Sequence, residues 1–309
     1  MAIETVEREA RPAPAPPAYP GIRPLKLLLV VLLVAGVAAS FPFAGADPAA
    51  LVEPENGAAA ARFVGGLFPP ELAPRYLRRV LRLMGETAAI SVAGTVLAII
   101  AAIPLALGAL RPRGEETGRA AQGTRRWALG WTTYGLARGT LNLARAVPEL
   151  VWALVFVVMV GLGPFAGVLA LAIHSAGILG KLYAELLETV DQRAVEAVRA
   201  TGATEGQVTA LARLPLALPV LLSYTLFRWE CNLRAATVLG LVGAGGIGTE
   251  LILSFKLFRY HELLTLIGAI LLLITFVDLS GQVLRTHLLD PPMAATDRRA
   301  EGQAMEVGR

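Results

Sequence analysis

The sequence predicts an all-α, polytopic membrane protein with about six transmembrane helices, and three observations carry that prediction. Apolar residues make up 55% of the 309-residue chain and charged residues only 17%, against about 25% charged in ordinary soluble domains. Apolar runs near the length of about 20 residues needed to cross a bilayer recur along it, at 27–46, 87–110, 150–180, 216–242 and 263–277. Between two of these runs lies a charged, helix-forming insert, residues 185–219, that belongs in water.

The elements follow in order. Pro12, Pro14, Pro16, Pro17 and Pro20 mark residues 1–24 as a flexible leader. Residues 25–46 read as a first membrane anchor, because Arg23 and Lys26 precede an apolar run close to a full span. A signal peptide cleaved after Ala-Gly-Ala46 is the alternative. Residues 47–84 read as an extracytoplasmic segment. The run 150–180 holds only His174 and Ser175 as strongly polar residues and is too long for one span. Gly161-Leu-Gly-Pro164 punctuates it, which predicts two spans turning at 161–164. Should 150–158 be too short to cross alone, the helix must begin upstream and take in part of 140–149. Residues 288–309 are polar and charge-rich and are expected to be disordered.

Charge placement orients the chain. With six spans, one side carries the N-terminus, the loop 111–126, the insert and the C-terminus, which hold 17 Lys and Arg; the other side holds 7. Cytoplasmic loops are the basic ones, so both termini and the insert are expected in the cytoplasm. Arg75, Arg78, Arg79 and Arg82 run against this bias. Cys231 is the single cysteine, which excludes an internal disulfide and disfavours a cysteine metal site.

Within the insert, Tyr183, Leu186, Leu187, Val190, Ala194 and Val198 form an apolar stripe at helical spacing, predicting a helix over 182–201. Glu185, Glu188, Gln192, Glu196 and Arg199 line its other face. Gly202 accepts the left-handed conformation that closes a helix. Thr204 to Gln207 reads as a capping box, starting a second helix that stops near Pro215. Taken alone, this knob is either an interfacial hairpin or a docking element.

Glu196-Ala197-Val198, Gly202 and Leu214-Pro215 resemble the Glu-Ala-Ala loop of ABC importer permeases: Glu-Ala-Ala, three residues, Gly, nine residues, Ile-x-Leu-Pro. Val198 stands for the third-position Ala and Ala212 for the Ile, both apolar. The resemblance covers 85–287 and is nearest to phosphonate importer permeases. It rests on Ala146-Val-Pro-Glu149-Leu-Val-Trp152, Gly177-Ile-Leu-Gly-Lys181-Leu-Tyr183-Ala-Glu185, Phe227-Arg-Trp-Glu230, Arg234 through Gly243, and Asp278-Leu-Ser-Gly281. It implies a permease of the bacterial inner membrane, embedded in membrane lipid and acting as a homodimer. Its implied partners are a separate ATP-binding subunit and an extracytoplasmic substrate-binding protein. It further implies an ATPase-coupling loop at Glu196, Ala197, Gly202, Leu214 and Pro215.

Other motifs do not hold. Gly243-Ala-Gly245-Gly246-Ile-Gly248 fits G-x-G-x-x-G, but that fingerprint needs a preceding strand within a βαβ unit. It reads instead as a tight loop between spans. Gly180-Lys181 lacks the first glycine and the hydroxyl of a phosphate-binding loop. His261-Glu262-Leu-Leu-Thr265 lacks the second His of a zinc helix, and His174 reads as a satisfied residue of the bundle. No catalytic or metal site, no cofactor and no nucleic-acid partner are expected.

Arg228, Glu230, Asn232 and Arg234 are the candidate substrate-pathway residues. At about 1.5 Å per residue, Arg228 lies roughly 18 Å beyond Leu216, where ionisable groups are costly and normally face a cavity or one another. Glu230 and Arg234 share a helical face and are expected to pair, as a clamp or as a pathway wall. Guanidinium suits phosphorus oxyanions through bidentate contacts. Asp278 and Glu149 are weaker candidates. The reading is an ATP-driven importer permease for phosphonate or a related phosphorus oxyanion. Alternatives are an importer permease for another small solute and an ion-coupled secondary transporter of a small anion. A membrane enzyme ranks last for want of a His/Asp/Cys constellation.

Overall fold

The computed structural model describes residues 22–45, 53–112 and 124–289. The leader 1–21, most of the tail 288–309 and much of the loop 111–126 lie outside them. The described residues contain helices and no strand. The chain divides after Val64 into two units.

In the first unit, α1 (Ile22–Phe43) is an apolar rod whose side chains from Lys26 onward are all exposed. That is the composition of a lipid-facing span. Helix α2 (Pro54–Gly66) opens on a proline and runs through an alanine-rich stretch.

The second unit is a helical bundle. Helix α3 (Pro74–Gly108) begins with Pro74 in its first turn, a position where the missing N–H costs nothing. It starts well before the span predicted at 87. Its first turns carry Arg75, Arg78, Arg79 and Arg82, whose polarity hid the helix from a search for apolar runs. Helices α4 (Thr124–Ala146) and α5 (Glu149–Val160) meet at a bend of 90°. Pro148 accounts for the break, since it lacks an N–H and drives Val147 out of helical geometry. Of the two readings of 150–160, the structure supports the one in which the crossing begins upstream and takes in part of 140–149, with a bend between the two helices. At 12 residues, or about 18 Å, α5 is a half-span, and α4 and α5 together make one broken crossing. The turn itself falls at 161–163 as predicted, with Gly161 and Gly163 at φ +93° and +137°. Helix α6 (Pro164–Thr189) follows.

After the insert come α9 (Leu214–Leu239), α10 (Ile247–Lys256) and α11 (Tyr260–Leu289). Among the described residues five helices are long and apolar enough to cross a membrane, six crossings if the bent pair counts as one. Helix α6 packs between α3, α4 and α9 in a core of small residues: Ala98, Ala102, Ala176, Ala217, with Leu141 and Leu179. Small residues let membrane helices approach closely. A Cβ at Gly177 would stand 2.6 Å from the Arg145 amide nitrogen, so α4 crosses α6 directly on that glycine.

The loop 243–246 is a packing loop, as the missing strand indicated. The Gly163 amide donates to Gly243 O (2.9 Å), and the Gly246 amide donates to the Glu86 carboxylate (2.8 Å). It fastens one end of the bundle; the insert occupies the other end of α9.

Candidate functional site

The insert is a small unit with its own core. The predicted helix 182–201 is broken at Val190–Asp191, where the Asp191 side chain accepts from the Arg193 amide (2.9 Å) and caps a new helix, α7 (Gln192–Ala200). The break resets the helical phase. Val195, absent from the predicted stripe, is fully buried, and it packs with Val208 and Ala212 beneath Val190 and Val198. Gly202 adopts φ +86° and ends α7, its amide donating to Arg199 O (3.0 Å). Thr204 and Gln207 form the reciprocal capping box that opens α8 (Glu205–Val208). Arg199 grips Glu205 through two hydrogen bonds of 3.0 and 3.2 Å. Glu196, Ala197 and Gly202 are left exposed on the outer surface of this unit.

The second helix does not stop at Pro215. A π turn at Thr209–Arg213 joins α8 to α9, with the Leu214 amide reaching back to Thr209 O. The wider turn makes room for the Pro215 ring, which has no N–H to place and would clash in a tight α turn. Leu214 and Pro215 are thus the exposed first residues of α9. Backbone helix runs from the knob to Leu239 without a gap.

About 35 Å along that helix from Glu205 begin the four candidate pathway residues, Glu230 and Asn232 buried, Arg228 half-buried and Arg234 exposed, and they do not pair with each other. Glu230, only 4% exposed, takes Arg285 of α11 at 2.7 Å. Its carboxylate lies directly over Gly281, where any side chain would collide with it. Arg234 grips both oxygens of Asp278 at 2.7 and 2.8 Å. The expected Glu230–Arg234 pair is therefore replaced by two crossed ion pairs between α9 and α11. Opposite charges on a facing helix, the Arg285 guanidinium for Glu230 and the Asp278 carboxylate for Arg234, offer better-aligned partners than a neighbour one turn away.

Arg228 and Asn232 turn the other way, toward α6 and α3. Arg228 Nε donates to Ser175 Oγ (3.0 Å), and Ser175 Oγ donates to Asn232 Oδ1 (2.7 Å). Asn232 Nδ2 in turn donates to Thr95 Oγ1 (2.8 Å). Glu149, at the start of α5, sits 3.4 Å from His174 Nε2, and His174 Nδ1 meets Val147 O at 3.0 Å, so His174 is satisfied at the helix break. A cavity of about 360 Å³ beside this group is lined by Glu149, Cys231, Arg234 and Val238. Ser175, Thr95 and Arg285 escaped the sequence reading as site residues. The one available signal was a polar residue inside an apolar run. Among the described residues no group of three or more His, Cys, Asp and Glu could hold a metal.

A bundle of apolar helices with paired charges in its interior and a separately folded knob at one end defines an integral-membrane transport subunit. Residues 125–289 match the family described as binding-protein-dependent transport system inner membrane component. The chain is 40% identical over 227 residues to the phosphite transport system permease protein PtxC of Stutzerimonas stutzeri, covering 74% of this chain and 77% of that one. It is 35% identical over 244 residues to the phosphate-import permease protein PhnE of Mycolicibacterium smegmatis, covering 79% of this chain and 42% of the relative. Its fold matches that of a solved structure titled as an inward-facing conformation of the MetNI methionine ABC transporter. There the TM-score is 0.57 at 20% identity, over 70% of this chain and 99% of the other. The chain belongs to the binding-protein-dependent inner-membrane permease family: it is a multi-pass permease of an ABC importer, and a transport subunit rather than an enzyme.

Proposed function

We propose that this permease carries phosphorus oxyanions, with phosphite, phosphonate and phosphate as the candidate cargoes, into the cytoplasm. It does so as a homodimer, with ATP hydrolysed on a separate subunit and cargo delivered by an extracytoplasmic binding protein. Both termini and the 190–213 knob lie in the cytoplasm in this reading, and Glu196, Ala197 and Gly202 enter the ATP-binding subunit. The cargo class rests on the relatives named for phosphite and phosphate. The site is supported by one observation: among the described residues Arg228 has no ion pair, and its only hydrogen bond uses Nε. Its terminal amino groups are left for a tetrahedral oxyanion.

The continuous helix from Glu205 to Leu239 supplies the mechanism. ATP-driven movement of the knob is transmitted along α8 and α9 as a lever. It shifts Arg228 and the crossed ion pairs of Glu230 and Arg234 relative to α3, α6 and α11, and so opens the pathway to alternate sides. Arg228→Ala tests the reading in vesicles containing the permease, its ATP-binding subunit and its binding protein. Phosphite uptake falls at least tenfold while the ATP-binding subunit still co-purifies. Retained uptake, or equal loss of uptake and assembly, contradicts it.

A further inference from the structure

The interior hydrogen bonds have one possible direction. A guanidinium only donates and a backbone carbonyl only accepts. The chain starts at Arg228 Nε and ends where Thr95 Oγ1 donates to Ser91 O at 2.7 Å. Every proton between is therefore assigned. Ser175 accepts from Arg228 and donates to the Asn232 carbonyl oxygen; the Asn232 amide then donates to Thr95. The orientation of the Asn232 amide follows from the Thr95 end: Thr95 has given its proton to Ser91 O, so only the Asn232 nitrogen can face it, and the Asn232 oxygen is left for the Ser175 proton. Ser175 and Asn232 are completely buried and Thr95 nearly so. Three helices, α3, α6 and α9, are held by this one relay.

Its effect falls on the free end. A guanidinium presents two forked edges, one through Nε and one through its two terminal nitrogens. Ser175 engages Nε, which leaves the terminal fork as the edge able to hold two oxygens of one anion. We infer that Ser175, Asn232 and Thr95 are positioning residues that aim the terminal fork of Arg228 at the oxyanion; this rests on the reading that Arg228 meets the cargo. A relay anchored on two other helices fixes that aim in this conformation. It gives the permease a discriminating contact of its own, separate from the selectivity of the binding protein.

The test uses the complete complex in vesicles and measures oxyanions imported per ATP hydrolysed. Ser175→Ala frees Nε and is expected to lower that ratio roughly tenfold, the size of effect when a charged donor loses its acceptor. Hydrolysis stimulated by the loaded binding protein should be unchanged. Thr95→Val, which keeps shape and removes only the hydroxyl, should lower the ratio by roughly threefold, and Thr95→Ser should restore it. A purely structural role would instead depress import, hydrolysis and assembly together in Ser175→Ala and Thr95→Val, and that result overturns the inference. So do ratios unchanged in both variants while Arg228→Ala abolishes import. If Arg228→Ala itself leaves import intact, the pathway reading fails first and the relay with it.

Discussion

The knob at 190–213 and the interior stretch 228–234 lie on the same continuous helical path, yet they satisfy their polar groups in opposite ways. In the knob almost every polar contact is local: Asp191 to the Arg193 amide, Thr204 to Gln207, Arg199 to Glu205. In the interior every contact reaches another helix: Arg228 to Ser175, Glu230 to Arg285, Asn232 to Thr95, Arg234 to Asp278. A unit whose described polar contacts are mostly internal can be pushed largely as one body. A segment whose charges are satisfied only by its neighbours cannot move without shifting those neighbours or exchanging partners. One region suits receiving force and the other suits converting it into a change of pathway.

The comparison can be broken most severely at Gly202. Its φ of +86° and its amide hydrogen bond to Arg199 O are both denied to proline, whose φ is fixed near −65°. Gly202→Pro is expected to abolish co-purification of the ATP-binding subunit while the bundle remains folded in detergent. Unchanged co-purification would remove the knob from the interface.

Next in size is Arg285→Ala, which leaves the Glu230 carboxylate buried without a partner. Removing one member of a buried pair costs about 3–5 kcal/mol, to be seen as a lowered thermal midpoint of the purified permease. Adding Glu230→Gln should return most of the loss, since no charge then remains uncompensated. Arg234→Ala should cost less, because Arg234 is 46% and Asp278 34% exposed. Equal losses at the two pairs would contradict the burial argument.

The smallest effect is expected at Thr204→Ala. Loss of the capping box is worth about 1 kcal/mol. It should weaken ATP-binding-subunit capture a few-fold, and Thr204→Ser should restore it. No change in capture would separate the cap from docking.

The difference between the two regions also explains what was legible in the sequence. Gly202, the capping box and the turn at 161–163 depend on residues within a few positions of each other, and spacing alone revealed them. The break at Asp191 was readable in principle from an N-cap aspartate, but an apolar stripe running through it concealed the change of phase and hence Val195. Helix α4 was missed because Arg125, Arg138, Asn142 and Arg145 make it too polar to register as a span. For the interior, sequence placed Arg228, Glu230, Asn232 and Arg234 on one long helix and assigned the wrong partner to Glu230 and Arg234. Their true partners lie 55 and 44 residues away, and no local pattern encodes which helix a charge will face.

The lever between the two regions can be tested on the native chain, because Cys231 is its only cysteine and lines the cavity beside Arg234. The rate at which a water-soluble thiol reagent labels Cys231 would be followed in the assembled transporter, without nucleotide and with ATP bound under conditions that block hydrolysis. The account predicts a severalfold change in rate between the two states in the wild type and identical rates in Gly202→Pro. A wild-type rate indifferent to nucleotide, or a Gly202→Pro transporter that still switches, would contradict it.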